Sequence, residues 1–179
     1  QRTFAEALSA SASIFNSTLN LNMLLNLILI NIAKVVQHDD ADIWLIDSNK
    51  KSVHPAYRKS GVDGVLPIYS VEFLIDEIPI LREVTANRKP VYLPEIQPNK
   101  VPIPTRNPKH RSCICTPISF GSNLLGFLVI YSLKKNNYSP TQIDHMQAFA
   151  NQAATAVRNA QLYSQAQEVA ALEERQRLA

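Results

Sequence analysis

The stretch from Ser139 to Ala179 constrains this chain more than any other. After Pro140 it contains neither Pro nor Gly. Ser139 suits an N-cap, Pro140 suits the first helical position, and Asp144 favours the positive end of a helix dipole. Small and apolar residues recur at threes and fours: Ile143, Met146, Phe149, Ala153, Val157, Ala160 and Tyr163. The pattern predicts one amphipathic helix about 55–60 Å long at the usual rise per residue. A single small domain is narrower than that. The first half is therefore expected to pack on a domain and the second half to leave it. The stripe changes accordingly. It is Ala-rich up to Tyr163, then thins to Val169, Leu172 and Leu178 among Glu173, Glu174, Arg175 and Arg177. That spacing looks like a two-helix seam with charged flanks. A frayed, solvated tail is the competing reading. The helical pattern reaches the last residue without a C-cap, so the chain reads as a fragment of a longer protein.

The rest of the chain supplies one core. The 179 residues suffice for one domain plus helical extensions, and 46% hydrophobic with 18% charged is an ordinary globular balance. A net charge of +3, with no dense Lys/Arg run, argues against nucleic acid. The longest apolar run, Met23 to Val36, is interrupted by Asn26, Asn31 and Lys34, which argues against a membrane span. Two cysteines, Cys113 and Cys115, make no disulfide framework. These features together predict a cytoplasmic protein.

In order, Thr3 to Ser17 reads as a helix, and Asn22 as the cap of a second, very apolar helix from Met23 to Gln37. Residues 41–48 read as a strand. Ile43 and Leu45 make its purely apolar face, with Asp42, Trp44 and Ile46 on the other. A second strand, 51–58, alternates Val53, Pro55 and Tyr57 with His54 and Ala56, and Pro55 implies an edge or a bulge. Pro79 opens a short helix to Asn87, and 91–93 is a brief strand. Residues 94–110 hold five prolines and no glycine. An aperiodic run of that length inside a domain is usually a lid, a binding loop or a disordered segment. Residues 111–120 and 124–133 form a hairpin around Gly121-Ser122-Asn123. Hairpins dominate, so the sheet is expected to be antiparallel, with apolar helices on one face and the short helix and long loop on the other.

At these residues the chain resembles a GAF domain. The resemblance runs from about Ala5 to Tyr163. It rests on ADIWLID at 41–47, NRKPVYLPE at 87–95, HRSCICTPISFGSNLLGFLVIYS at 110–132, and the Tyr138-Ser139-Pro140 opening of a helix that closes on Asn159-Ala160-Gln161-Leu162-Tyr163. It implies an α+β fold with a six-stranded antiparallel sheet, a small-molecule pocket on the loop side, and homodimers formed through the terminal helices. Residues 1–163 would be the sensory domain and 164–179 the start of a helical linker. Residues 171–179, ALEERQRLA, are similar to the segment leading into the phosphoacceptor helix of one class of bacterial sensor histidine kinases. A downstream kinase domain is thus expected, with a cyclase or phosphatase as the alternative output.

No catalytic motif is present: no phosphate loop, Cys-x-x-Cys, His-Glu-x-x-His or nucleophile elbow. His38, His54, His110 and His145 are scattered, which argues against haem or metal. Some relatives attach a bilin to a cysteine that is commonly followed by His. Here Ile114 follows Cys113 and Thr116 follows Cys115, and small buried thiols filling a strand are the plainer reading. Cyclic nucleotide is disfavoured, because Gln142-Ile143 stands where such relatives carry Asp-Glu. The candidate ligand-binding set is Asp42, Trp44, Tyr57, Arg111, Phe127 and Tyr131. Phe127 and Tyr131 are expected to line the loop side with Trp44, while Leu128 and Ile130 meet the helices. Ordinary core packing is the competing reading for the aromatics, and an exposed strand-start arginine for Arg111. The expected function is ligand sensing and dimerisation in signal transduction. The alternatives are a ligand-free relay module or, more remotely, a sulfoxide reductase using its cysteines.

Overall fold

The computed structural model describes residues 3–6, 21–61, 64–65, 71–98 and 107–179. Its sheet strands are β1 (Asp40–Ile46), β2 (Ser52–Ser60), β3 (Gly64–Val65), β4 (Phe73–Leu74), β5 (Val91–Leu93), β6 (Ser112–Phe120) and β7 (Asn123–Ser132). The helices are α1 (Leu21–Ala33), α2 (Pro79–Asn87) and α3 (Pro140–Leu178). The spatial order is β3-β2-β1-β7-β6-β5, every pair antiparallel, and β4 shares the outer side of β2 with β3. The sheet is therefore six strands wide.

Strand alternation sorts the core into two layers. Ile43, Leu128, Ile130, Ile114 and Ile118 face α1 and α3, where they meet Leu25, Ile28, Leu29 and Ile32 of α1 and Met146, Phe149, Ala153 and Val157 of α3. Ala153 and Ala154 put little side chain between α3 and its neighbours, which lets the backbones approach. Each large aliphatic or aromatic side chain buried here contributes about 1.5–3 kcal/mol. The opposite layer holds Trp44, Val53, Cys113, Cys115, Phe127, Val129 and Tyr131 beneath Ile75, Ile78, Leu81, Val84 and Ile96. Residues 75–78 lead into α2, whose last turn ends at Arg88 in a left-handed cap (φ 55°) donating its N–H to Val84 O. Only then can Lys89-Pro90 turn the chain into β5.

Ser139 caps α3 through a reciprocal pair. Gln142 N–H donates to Ser139 Oγ at 3.2 Å, and Ser139 N–H donates to Gln142 Oε1 at 2.9 Å. Asp144 lies in the second turn, beyond the capping residues. The helix then runs unbroken for 39 residues. Its buried positions end at Val157, and Leu162, Tyr163, Val169, Leu172 and Leu178 are exposed.

Two local expectations need correction. Asn22 lies inside α1 rather than capping it, and α1 ends at Ala33, short of Gln37. The first helix expected over 3–17 is described only at residues 3–6, which are helical. The rest of it, and residues 99–106 of the proline-rich loop, lie outside the described residues. The second correction concerns β2. Ile43 pairs with Tyr57 but Trp44 pairs with Pro55, so Ala56 is an extra, bulged residue. Pro55, which has no N–H for the ladder, sits at that bulge.

Candidate functional site

The bulge decides which polar groups meet. A one-residue slip turns every later side chain to the other face. Tyr57, expected on the ligand side with Val53, instead packs in the helix-facing layer. Arg58 takes its place opposite Asp42. Arg58 Nε donates to Asp42 Oδ1 at 3.1 Å, and the Tyr131 hydroxyl donates to Asp42 Oδ2 at 3.3 Å. Asp42 is 2% exposed and Tyr131 1%. Burial pushes the Asp42 carboxyl above the usual carboxylate range, while Arg58 and Tyr131 pull it back. Burial, reinforced by the Asp42 charge, also pushes the Tyr131 hydroxyl well up.

The network continues outward from Tyr131. The His110 ring stacks on Tyr131, with centroids 4.5 Å apart and planes 10° from parallel. His110 Nε2 lies 2.5 Å from Asp40 Oδ2. Burial tends to raise the Asp40 carboxyl, but hydrogen bonds from His110, Ser60 and Asn107 outweigh it and hold the group low. Two cross-strand pairs place the parts: Asp42 opposite Val129 and Asp40 opposite Tyr131. The Trp44 indole N–H is buried and turned toward Asp42; it falls outside strict hydrogen-bond geometry but helps to hold the carboxyl down.

Of the six residues expected to bind ligand, the structure brings Asp42, Trp44, Phe127 and Tyr131 onto one layer. Arg111 does not join them. It is half-buried and donates to the Pro108 and His110 carbonyls at 3.1 and 3.2 Å. Arg58, His110, Asp40 and Ser60 were missed. A signal for Arg58 existed: a carboxylate on an apolar strand demands a cation, and the neighbouring strand carries one. Cys113 and Cys115 lie buried in the same layer as free thiols. Burial pushes Cys113 up to about 12 and Cys115 well above its ordinary value, so both stay protonated at neutral pH. No cluster of three or more His, Cys, Asp or Glu stands ready for a metal among the described residues. No helix among them is long and apolar enough to cross a membrane.

The family model described as a GAF domain matches residues 18–158, most of the chain and all of the sheet. This chain belongs to the GAF domain family. The GAF domain described here is thus a regulatory signalling domain. Its fold is shared with the GAF domain of a phosphoenolpyruvate-protein phosphotransferase from Coxiella burnetii (17% identity, TM-score 0.73, covering 91% of this chain and 97% of that one). It is shared too with free methionine-R-sulfoxide reductase from Neisseria meningitidis, solved with its substrate (12%, 0.72, 91% and 94%). A third similar structure is the phycocyanobilin-bound GAF domain of a cyanobacterial phytochrome (16%, 0.70, 89% and 96%). No curated protein matches this GAF domain.

Proposed function

We propose that this GAF domain is the ligand-sensing and dimerising module of a cytoplasmic sensor histidine kinase. The observation that carries the reading is α3. One unbroken helix is buried in the core up to Val157 and exposes an apolar stripe beyond it. Leu162 and Val169 stand seven apart, with Leu172 three further on, the spacing of a two-stranded seam with a β-branched residue and Leu alternating. A change in the packing of the first half is thereby passed to the second half as a rigid-body movement. Residues 171–179 support a kinase as the output domain through their similarity to the segment before a phosphoacceptor helix.

Ligand sensing is supported by the buried Asp42–Arg58–Tyr131 network on the loop side of the sheet. By linkage, a ligand biases the output only by its differential affinity for two helix arrangements, typically about 1–3 kcal/mol. The ligand-free relay reading has its own observation: Trp44, Phe127 and Tyr131 are each at most 1% exposed, so their layer is filled by its own side chains.

Native beside denaturing mass spectrometry tests both. A dimer carrying extra mass that denaturation removes supports sensing; a clean dimer supports relay alone. A wild-type monomer sinks the dimerisation reading, and a Leu172→Arg variant still dimeric at micromolar concentration sinks the α3 seam as its interface. The kinase assignment is tested on the full-length protein, where ATP should yield an acid-labile, base-stable phosphohistidine. Absence of label removes that assignment.

A further inference from the structure

At the far end of the sheet from Asp42 lies an open groove of about 780 Å³. It runs across the ends of β1, β6 and β7, with the end of α2 on one side and α3 on the other. Three cations line it: Lys50 in the β1–β2 turn, Arg88 at the end of α2, and Arg158 on α3. Arg158 is half-buried and has no hydrogen-bond or ion-pair partner among the described residues. A guanidinium partly removed from water without a counter-charge is unfavourable, and a bound anion would relieve it. Arg88 is already oriented. It donates to Thr85 O at 2.9 Å and to Ser122 O at 3.2 Å, which holds the guanidinium and leaves further N–H groups for a ligand.

The opposing carboxylates in the groove are Asp47 and Glu168. Asp47 is occupied by Ser52 and His54. Glu168 stands ten residues beyond Arg158, about 15 Å along the helix, and cannot neutralise it. Phe120, 47% exposed at the end of β6, gives the groove a flat apolar wall. Cations that outnumber the free carboxylate, beside an exposed aromatic face, suit an anion with a flat apolar body.

We propose that this groove binds a phosphorylated small molecule whose planar part rests on Phe120 and whose phosphate meets Arg88, Arg158 and Lys50. The site is separate from the Asp42 network and does not depend on ligand binding there. Its consequence is mechanical. A ligand held by both Arg88 and Arg158 ties the loop-side helix to the output rod directly, without passing through the sheet.

Phenyl phosphate is the probe, titrated calorimetrically into the 179-residue chain at about 150 mM salt, where long-range surface attraction is screened. Saturable binding is expected, weakened about tenfold or more in Arg158→Gln and in Arg88→Gln, both first checked for unchanged melting. Amide exchange over residues 158–168 should slow on binding. Should Arg158→Gln fail to fold, Lys50→Gln in the exposed turn carries the same test. Absent saturable binding, or affinity unchanged in these variants, overturns the proposal. Equal weakening by Lys134→Gln, an exposed lysine outside the groove, overturns it as mere surface charge. Benzoate binding as tightly as phenyl phosphate overturns the phosphate assignment.

Discussion

Arg58 and Asp42 face each other across β2 and β1 at 3.1 Å, with 8% and 3% of their side chains exposed. Removing one member of such a pair strands the other charge in the core. Asp42→Ala is expected to destabilise the domain by about 3–5 kcal/mol. The double variant Asp42→Leu/Arg58→Met should recover most of that, since well-packed apolar groups replace buried ion pairs at little loss. Urea denaturation measures both. A double variant no better than Asp42→Ala would show that packing, not the orphaned charge, sets the cost.

Gly126 allows β7 to approach β1. A Cβ there would lie 2.1 Å from the Trp44 carbonyl oxygen and 3.2 Å from Leu45 Cα, both backbone atoms of a central strand. Gly126→Ala should cost about 3 kcal/mol or more by overpacking. Gly121, in the hairpin turn at φ 60°, has open space around it. Gly121→Ala should cost only the about 1–2 kcal/mol of the left-handed backbone. Chemical denaturation of the two variants should keep that order.

Ser139→Ala removes one half of the α3 capping pair. The expected loss is about 1 kcal/mol, with Ser139→Asp close to wild type because aspartate also accepts from the first-turn N–H groups. Equal melting of all three proteins would mean that core packing alone starts the helix.

His38 makes stability depend on pH. Burial is the main influence and pushes the imidazole below its ordinary 6.5; Lys59 adds to this, while the Val36 carbonyl, Asp39 and Asp40 oppose it. The native state therefore resists protonation that the unfolded chain accepts. As pH falls from about 6.5 toward the lowered native value, the unfolded state binds the extra proton and stability declines, by at most about 1.4 kcal/mol per pH unit. The His38→Gln variant should show a shallower slope across that interval in urea titrations at stepped pH. An unchanged slope would assign it to other groups.

Cys113 and Cys115 should resist iodoacetamide at pH 8 in the native state, because burial keeps both protonated and enclosed. Both should react in denaturant. Rapid native labelling of either would mean that the loop-side layer opens readily.

The layering of the sheet was legible because it follows from local periodicity. Ile43 against Trp44 in β1, and Leu128 and Ile130 against Phe127 and Tyr131 in β7, alternate without interruption and occupy the layers their spacing predicts. The long helix was legible for the same reason. The polar network was not. Ala56 alters the count of β2 by one, and nothing within 51–58 says on which side of Pro55 the extra residue falls. That shift sent Tyr57 to the helices and Arg58 to Asp42. His110 and Asp40 stand 70 residues apart, and only the pairing of β1 with β7 and of β7 with β6 brings them to one end of the sheet.

The chain by itself determined most of its elements, the apolar faces of β1, β7 and the long helix, and the family those elements belong to, because periodicity, capping and turn chemistry act over a few neighbouring residues. Tertiary structure alone decided which charges share a buried environment and which cations line one groove. Those outcomes depend on register and on the meeting of distant strands, where a single bulged residue outweighs any local preference.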